Sequence, residues 1–147
     1  MNKKYKKAYI IGRFQPFHKG HLYLIKEALK VADKAIIGIG SANIIDFDNP
    51  FPIDERIEMV KNELKKAKLN DYIEKIVTID DVYNDDKWRK LALDQVEGVD
   101  LIVGNNDWVN DIFEVAGYPV LRVPFYKRHI YQGKIIREKL RKANKLA

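Results

Sequence analysis

Cysteine is absent from this chain of 147 residues. Its absence excludes disulfides, thiolate metal sites, iron–sulfur clusters and cysteine nucleophiles, so any chemistry must come from histidine, carboxylate, lysine, arginine or backbone groups. The chain also lacks an apolar run near the roughly 20 residues that span a bilayer. Its first apolar run, residues 8–12, is too short for a signal-peptide core. These absences predict a cytoplasmic protein that does not enter a membrane.

Boundaries between domains are lacking as well. No repeat, low-complexity tract or linker rich in proline, glycine and serine interrupts the sequence. The length and the 46% of hydrophobic residues are enough to bury one core, so we expect a single domain over residues 1–147.

The net charge of +6 is concentrated at the two ends of the chain. Residues 1–7 contain four lysines, and residues 134–147 contain six basic side chains against one glutamate. The stretch between them, residues 8–133, holds 17 basic and 20 acidic side chains. Because the body of the protein is slightly acidic, we expect no nucleic-acid partner, whereas small phosphorylated ligands remain open.

Short β-rich apolar runs alternate with segments of helical period, which is the pattern of βαβ units. One helix should follow the first strand, with Leu22, Ile25, Leu29 and Ala32 on one apolar face. Other helices are expected near Asp54, around Trp88, from Asp107 and over residues 134–145. The sequence therefore predicts an α/β, Rossmann-like single domain with a five-stranded parallel sheet and flanking helices. The predicted strands are residues 8–12, 35–40, 73–79, 100–104 and 118–123.

The segment GRFQPFHKGH, residues 12–21, leaves the first predicted strand and enters the first helix. His18 and His21 are three residues apart, so at the start of a helix they share a face beside unpaired backbone N–H groups and the positive end of the helix dipole. Gly20 would let a phosphate approach the backbone closely, and Arg13 and Lys19 add positive charge. This combination predicts an anion site.

Other interpretations of these residues are weaker. Two histidines alone are usually polar surface groups, and zinc would need a third ligand, for which only the distant His129 is available. The chain has no Walker A sequence, its GIGSA run at residues 38–42 is only a fragment of a dinucleotide fingerprint, and no serine stands in a nucleophile elbow.

GRFQPFHKGH resembles the signature of the HxGH nucleotidyltransferase superfamily, and in this long form it most resembles archaeal-type nicotinamide-nucleotide adenylyltransferases. Further segments resemble that family in order and spacing: GIGSA, NPF at residues 49–51, ERI at 55–57, Trp88 after an acidic loop, Gly104 with Asn105, and GYPVLRVP at 117–124. The resemblance implies a nucleotidyltransferase domain in which the phosphate of nicotinamide mononucleotide attacks ATP. The products would be NAD and pyrophosphate, with no covalent enzyme intermediate.

The resemblance also implies residue roles. His18, His21 and Arg13 would be catalytic, holding the ATP phosphates and stabilising the leaving pyrophosphate. Trp88 would stack on the nicotinamide, although its spacing equally fits a packing tryptophan, and Asn84 would bind the acceptor. Mg²⁺ would bind through the ATP phosphates, without metal ligands from the protein, and a homo-oligomer is implied. The implied nucleotide-binding residues are Gly12, Phe14, Gln15, Lys19, Gly20, Gly104, Asn105, Gly133, Lys134 and Arg137.

The last motif departs from the family pattern. Gln132 and Lys134 stand where the family usually has serine and threonine, while Gly133 and Arg137 are kept. Two hydroxyl donors are therefore lost, and three functions stay open. They are adenylyl transfer to nicotinamide mononucleotide, nucleotidyl transfer to another phosphorylated acceptor or from CTP, and nucleotide binding by an inactive relative. The intact pair of histidines argues against the last.

Overall fold

The computed structural model describes residues 3–146 and alternates strands with helices. Its elements are β1 (Tyr5–Gly12), α1 (Lys19–Val31), β2 (Ala32–Ile39), α2 (Ile53–Lys66), a 3-10 turn (Asn70–Tyr72), β3 (Ile73–Thr78), α3 (Asp85–Asp94), β4 (Leu101–Gly104), α4 (Asp107–Glu114), β5 (Val120–Arg122) and α5 (Gly133–Lys142). All five strands are parallel. The predicted Rossmann-like α/β fold is confirmed.

The order of the strands across the sheet is β3-β2-β1-β4-β5. The chain first moves outward from β1 to β3 and then crosses back to place β4 on the other side of β1. The connections therefore diverge at the carboxyl ends of β1 and β4, where Ile10 pairs with Val103. Ligands of open α/β sheets bind at such a switch point, so this edge positions the site.

Alternating side chains of the strands pack on opposite faces of the sheet. Ile10 of β1 belongs to a core that includes Ile25 of α1 and Val60 of α2. Tyr9, the preceding residue, belongs to a second core with Trp88 of α3 and Phe113 of α4, among others. Helices α1 and α2 therefore cover one face of the sheet, and α3 and α4 cover the other.

The junction between α1 and β2 was predicted incorrectly. The sequence placed Ala32 on the helix and began the strand at residue 35, whereas α1 ends at Val31 and β2 begins at Ala32 with no loop between them. Ala32 has an extended backbone and pairs with Tyr5. That pairing was not predicted because β1 begins at Tyr5, in a basic stretch whose composition is not typical of a strand. The buried face of α1 is correspondingly shifted and includes Leu24, Ile25, Ala28 and Leu29, whereas Leu22 is only half-buried.

Helix α5 also ends earlier than predicted, at Lys142 rather than residue 145, because the chain turns there. Across residues 3–146, we find no helix with both the length and the apolar character required to cross a bilayer.

Candidate active site

A cavity of about 360 Å³ opens at the carboxyl edge of the sheet, at the switch point between β1 and β4. Its walls come from the loops after β1, β2 and β4, from the starts of α1, α4 and α5, and from one side chain of α3. No carboxylate is among the wall residues in the part of the chain that the structure describes. The wall includes Gly12, Arg13, Phe14, Gln15, His18, His21, Gly40, Ser41, Trp88, Asn105, Trp108, Gly133 and Arg137.

The loop between β1 and α1 is built around Phe14 and Gln15. Phe14 has a left-handed backbone (φ 53°) and is buried, with its ring 4.6 Å from that of His21 in an edge-on contact. The Gln15 amide Nε2 donates to the carbonyl of Phe51 (3.2 Å), and the backbone N–H of Phe51 donates to its Oε1 (2.9 Å). Gln15 lines the cavity, but its amide joins two loops of the protein.

His18 and His21 cap the start of α1. The backbone N–H of Gly20 donates to Nδ1 of His18 (3.0 Å), and the backbone N–H of His18 donates to Nδ1 of His21 (3.1 Å). Because Nδ1 of each neutral ring accepts a hydrogen bond, the ring proton is assigned to Nε2. The two rings stack with centroids 3.7 Å apart. The site therefore offers two neighbouring Nε2–H donors.

One detail of the predicted anion site is wrong, and the structure gives a further reason for Gly20. The N–H groups of His18 and Gly20 are not unpaired, because the imidazoles themselves accept from them. A Cβ on Gly20 would lie 2.8 Å from Cε1 of His18, so the glycine makes room for the capping ring. The donors toward a ligand are the imidazole nitrogens.

Both histidines are held in the neutral form. Burial lowers the pKa of His18 to about 4. Burial and, secondly, the nearby His18 ring lower the pKa of His21 well below its ordinary range. At neutral pH the pair therefore contributes hydrogen-bond donors and no net charge.

The depressed pKa of His18 predicts that the ligand-free protein loses stability below pH 6.5. The unfolded chain binds a proton near the ordinary histidine pKa of 6.5, while folded His18 resists protonation down to about 4. Neutral His18 therefore costs the folded state nothing above pH 6.5, and the free energy of unfolding declines as the pH falls from 6.5 toward 4. Urea unfolding at several pH values should show this decline.

Matched variants isolate that effect. His18→Asn keeps a cap acceptor but does not titrate, so we expect a shallower decline than in the wild type. His129→Asn changes an exposed histidine and should keep the wild-type slope. Equal slopes for the wild type and His18→Asn would contradict the prediction.

Two arginines supply the positive charge of the cavity. The Arg13 side chain donates from Nη1 to Oδ1 of Asn49 (3.1 Å), and Arg137 is buried and donates from Nη1 to the carbonyl of Gln15 (2.8 Å). A Cβ on Gly133 would lie 2.7 Å from Nη1 of Arg137, so this glycine makes room for the guanidinium. Burial is the main cause that lowers the pKa of Arg137, followed by Arg13. An arginine nevertheless stays charged, so the cavity suits an anion.

Five predicted site residues lie outside the cavity wall, one of which is Gly20 beneath the His18 ring. Lys19 has its Nζ 5.9 Å from the Tyr131 ring, and Lys134 is exposed. Oδ1 of Asn84 accepts from the N–H of Lys87 (2.9 Å) and so caps α3. Gly104 is buried, where a Cβ would lie 2.5 Å from Oδ1 of Asn110. Capping and packing therefore occupy positions that the sequence assigned to ligand contact.

Two tryptophans line the cavity. Trp88 is 7% exposed and its ring meets Phe113 edge-on at 5.8 Å, so it is both a core residue and a wall residue. Trp108, on the first turn of α4, is 61% exposed. Sequence reasoning missed Trp108, although its position just after the fourth predicted strand placed it at the edge where ligands bind.

A metal cage is not among the features of this site. Within residues 3–146, no three side chains of histidine, aspartate or glutamate cluster as metal ligands would. The cavity wall presents N–H donors and two cations. N–H donors and arginines do not ligate a hard divalent cation, so such an ion would need ligands from the phosphate oxygens of a bound nucleotide.

Comparisons with known proteins agree with this geometry. The sequence matches the cytidylyltransferase-like family over residues 9–139. It is 35% identical over 138 residues to nicotinamide-nucleotide adenylyltransferase of Archaeoglobus fulgidus, covering 91% of this chain and 79% of the relative. It is 38% identical over 140 residues to the enzyme of the same name from Thermoplasma acidophilum, covering 95% of this chain and 77% of the relative.

A solved structure is similar as well. It is a bifunctional NMN adenylyltransferase/ADP ribose pyrophosphatase from Francisella tularensis, with a TM-score of 0.81 and 30% identity over 97% of this chain. This chain spans 44% of the length of that protein. A second structure of the Francisella protein, complexed with AMP and a manganese ion, gives a TM-score of 0.80 at 28% identity, again covering 97% of this chain and 44% of that one.

Proposed function

We propose, from the premise that this chain belongs to the cytidylyltransferase-like family, that it transfers the adenylyl group of ATP to nicotinamide mononucleotide, forming NAD and pyrophosphate. The observation that carries the proposal is a cavity without carboxylates among its described wall residues, which is lined by two arginines and by two histidines whose Nδ1 atoms are already bonded. The family resemblance predicted from the sequence is confirmed by the archaeal relatives. We further propose that residues 1–147 act as one nucleotidyltransferase domain.

The chemistry needs no nucleophile from the protein. A phosphate oxygen of nicotinamide mononucleotide forms a bond to the α-phosphorus of ATP, and the bond from that phosphorus to the bridging oxygen breaks as pyrophosphate leaves. A phosphate monoester has its second pKa near about 6, so the attacking group is already largely deprotonated at neutral pH. The protein therefore acts by positioning and by stabilising charge.

We assign that stabilisation to four side chains. The Nε2–H groups of His18 and His21 would donate to phosphate oxygens, and Arg13 and Arg137 would balance the charge that grows on pyrophosphate. Neutral imidazoles suit this role because each ring can accept the capping hydrogen bond at Nδ1 and still donate from Nε2. A divalent ion, Mg²⁺ by our proposal, would bind through the ATP phosphates and add charge neutralisation; the similar Francisella structure, complexed with AMP and a manganese ion, supports a divalent metal.

The acceptor ring is proposed to lie against Trp88, which forms part of the cavity wall. Nicotinamide in the mononucleotide is a cationic ring, and cation–π contact with tryptophan contributes about 0.5 to 2 kcal/mol. In a Trp108→Phe variant, Trp88 is the only tryptophan reporter left. We expect saturable quenching of its fluorescence by nicotinamide mononucleotide and by NAD, but none by ATP alone.

The reciprocal variant completes this test. In Trp88→Phe, the remaining reporter is the exposed Trp108 at the same cavity. Quenching of Trp108 with no change in Trp88 would contradict the assignment and place the ring at the outer tryptophan. Asn84 is not supported as an acceptor ligand, because its side chain caps α3.

Transfer to another phosphorylated acceptor, or from CTP, is the second candidate. It is favoured by the altered motif before α5, where the Gln132 side chain makes no capping hydrogen bond and Lys134 is exposed. The same departure favours the third candidate, an inactive nucleotide-binding relative. We further propose a cytoplasmic homo-oligomer without a nucleic-acid partner, supported by the lack of cysteine, the slightly acidic body and the family resemblance.

A product assay tests the proposed function. The purified full chain is given ATP or CTP with nicotinamide mononucleotide, flavin mononucleotide or pantetheine phosphate, and pyrophosphate and the dinucleotide are both quantified. We expect rapid formation of NAD from ATP and nicotinamide mononucleotide and much slower reaction of the other pairs. A preference for another pair would reject the acceptor or donor assignment, and tight ATP binding without turnover would reject the enzyme.

A further inference from the structure

Arg56 carries a buried charge that the proposed reaction does not use. It lies on α2, where Val60 and Leu64 are the other buried residues. Its side chain is 0% exposed. No ion pair to a carboxylate is found for it among residues 3–146. Asp81 is near enough to act on this charge but forms no ion pair with it, so the cost of burial has to be offset by hydrogen bonds.

Those hydrogen bonds join the loops after two neighbouring strands. Nη1 of Arg56 donates to the carbonyls of Arg13 (3.0 Å) and Gly40 (2.8 Å), and Nη2 donates to the carbonyl of Ser41 (3.0 Å). All three acceptors belong to residues of the cavity wall, whereas Arg56 itself does not line the cavity. One planar guanidinium thus fixes the end of β1 relative to the end of β2.

The bonded loops contain two non-glycine residues with left-handed backbones. Phe14, directly after Arg13, has φ 53°, and Ser41 has φ 49°. Such conformations are unfavourable for side chains other than glycine and persist only where neighbouring contacts hold them. Ser41 is held twice, because its carbonyl accepts from Arg56 and its Oγ donates to Oδ1 of Asp81 (2.9 Å). Arg56 is therefore placed to maintain both turns.

We propose that Arg56 is a positioning residue for the triphosphate. It acts through the backbone of Arg13, whose side chain lines the cavity, and through the Gly40–Ser41 loop on the other side. The inference rests on the proposed function for its ligand, ATP. Lysine keeps the charge but lacks the fork of donors that reaches three carbonyls at once, so Arg56→Lys separates geometry from charge.

The test compares Arg56→Lys with Arg89→Lys. Arg89 is a matched control, since it also donates from Nη1 to a backbone carbonyl, that of Ile112 (2.8 Å), and does not line the cavity. For Arg56→Lys we expect the KM and the calorimetric Kd for ATP to rise about tenfold or more, because a small misplacement of phosphate donors weakens their contacts. The KM for nicotinamide mononucleotide should change much less. Arg89→Lys should lower Tm without altering the Kd for ATP.

A second variant covers the case in which lysine is not accommodated. Arg56→Ala should recover ATP affinity when millimolar guanidinium is added, and methylammonium should not replace it. An Arg56→Lys protein that loses Tm but binds ATP like the wild type would overturn the positioning role. So would failure of both variants to fold, which would make Arg56 purely structural. A wild type that makes no NAD would reject the proposed function. The calorimetric Kd for ATP does not depend on turnover, so the comparison of Arg56→Lys with Arg89→Lys would still test the positioning role.

Discussion

Replacement of His21 by asparagine is expected to lower kcat about 100-fold or more, the usual loss for one transition-state donor. The asparagine Oδ1 lies near the position of the imidazole Nδ1, so it can still accept from the backbone N–H of His18 and preserve the start of α1. The variant lacks the Nε2–H that would face the phosphates. Steady-state pyrophosphate release with saturating ATP measures the loss.

The complementary variant, His21→Gln, provides an internal comparison. Its longer amide places an N–H near the position of Nε2 but no longer accepts from His18. We therefore expect more activity than in His21→Asn together with a lower Tm. His129→Asn changes an exposed histidine away from the cavity and should leave kcat unaltered. If His21→Asn kept nearly the wild-type rate, the histidine pair would not be the phosphate site.

Replacement of Arg13 by alanine is expected to raise the Kd for ATP about tenfold or more. Hydrogen bonds to charged groups contribute about 1.5 to 3 kcal/mol, and only one other arginine is found in the described cavity wall. Arg13 is exposed, and the buried Asn49 that it bonds keeps its hydrogen bonds to Asp46, so Tm without ligand should fall little. Titration calorimetry at low and high salt should show that the variant has the weaker salt dependence.

Two further variants are compared with Arg13→Ala: Arg137→Ala removes the other arginine of the cavity wall, and Arg128→Ala is a control outside it. Arg137 donates to the carbonyl of Gln15 from a buried position, so its loss should reduce both ATP affinity and Tm. Arg128 packs on the Phe125 ring outside the cavity and should affect neither. Equal losses of Tm for Arg13→Ala and Arg137→Ala, with unchanged ATP affinity, would show that both arginines serve the fold alone.

The fold was predictable because its strands are short apolar runs, each followed by a helix with a regular apolar face. The same logic failed at the start of β1, where Lys6 and Lys7 give a strand the composition of a solvated tail. It failed again at Ala32, because the absence of a loop leaves no change in composition to mark the junction. The composition of a segment reflects how far it is buried, and the first residues of β1 are only partly buried.

The site was predictable in its location and only partly in its members. Topology brings the end of β1 to the switch point, which is why Arg13, His18 and His21 meet there. The sequence could not show that Arg56 is buried, because an arginine on an amphipathic helix is normally solvated. Nor could it show that Asn84 caps α3, since the same residue type serves caps and ligands.

The imidazole caps on α1 link the fraying of this helix to the loss of the proposed phosphate site. When the first turn of a helix frays, a cap is lost; here the same opening would also turn the phosphate donors away from the cavity. The Gly20 amide proton, which is bonded to His18, is therefore a probe of how often this first turn opens. Its rate of exchange with deuterated solvent would report how often the site of the resting protein comes apart.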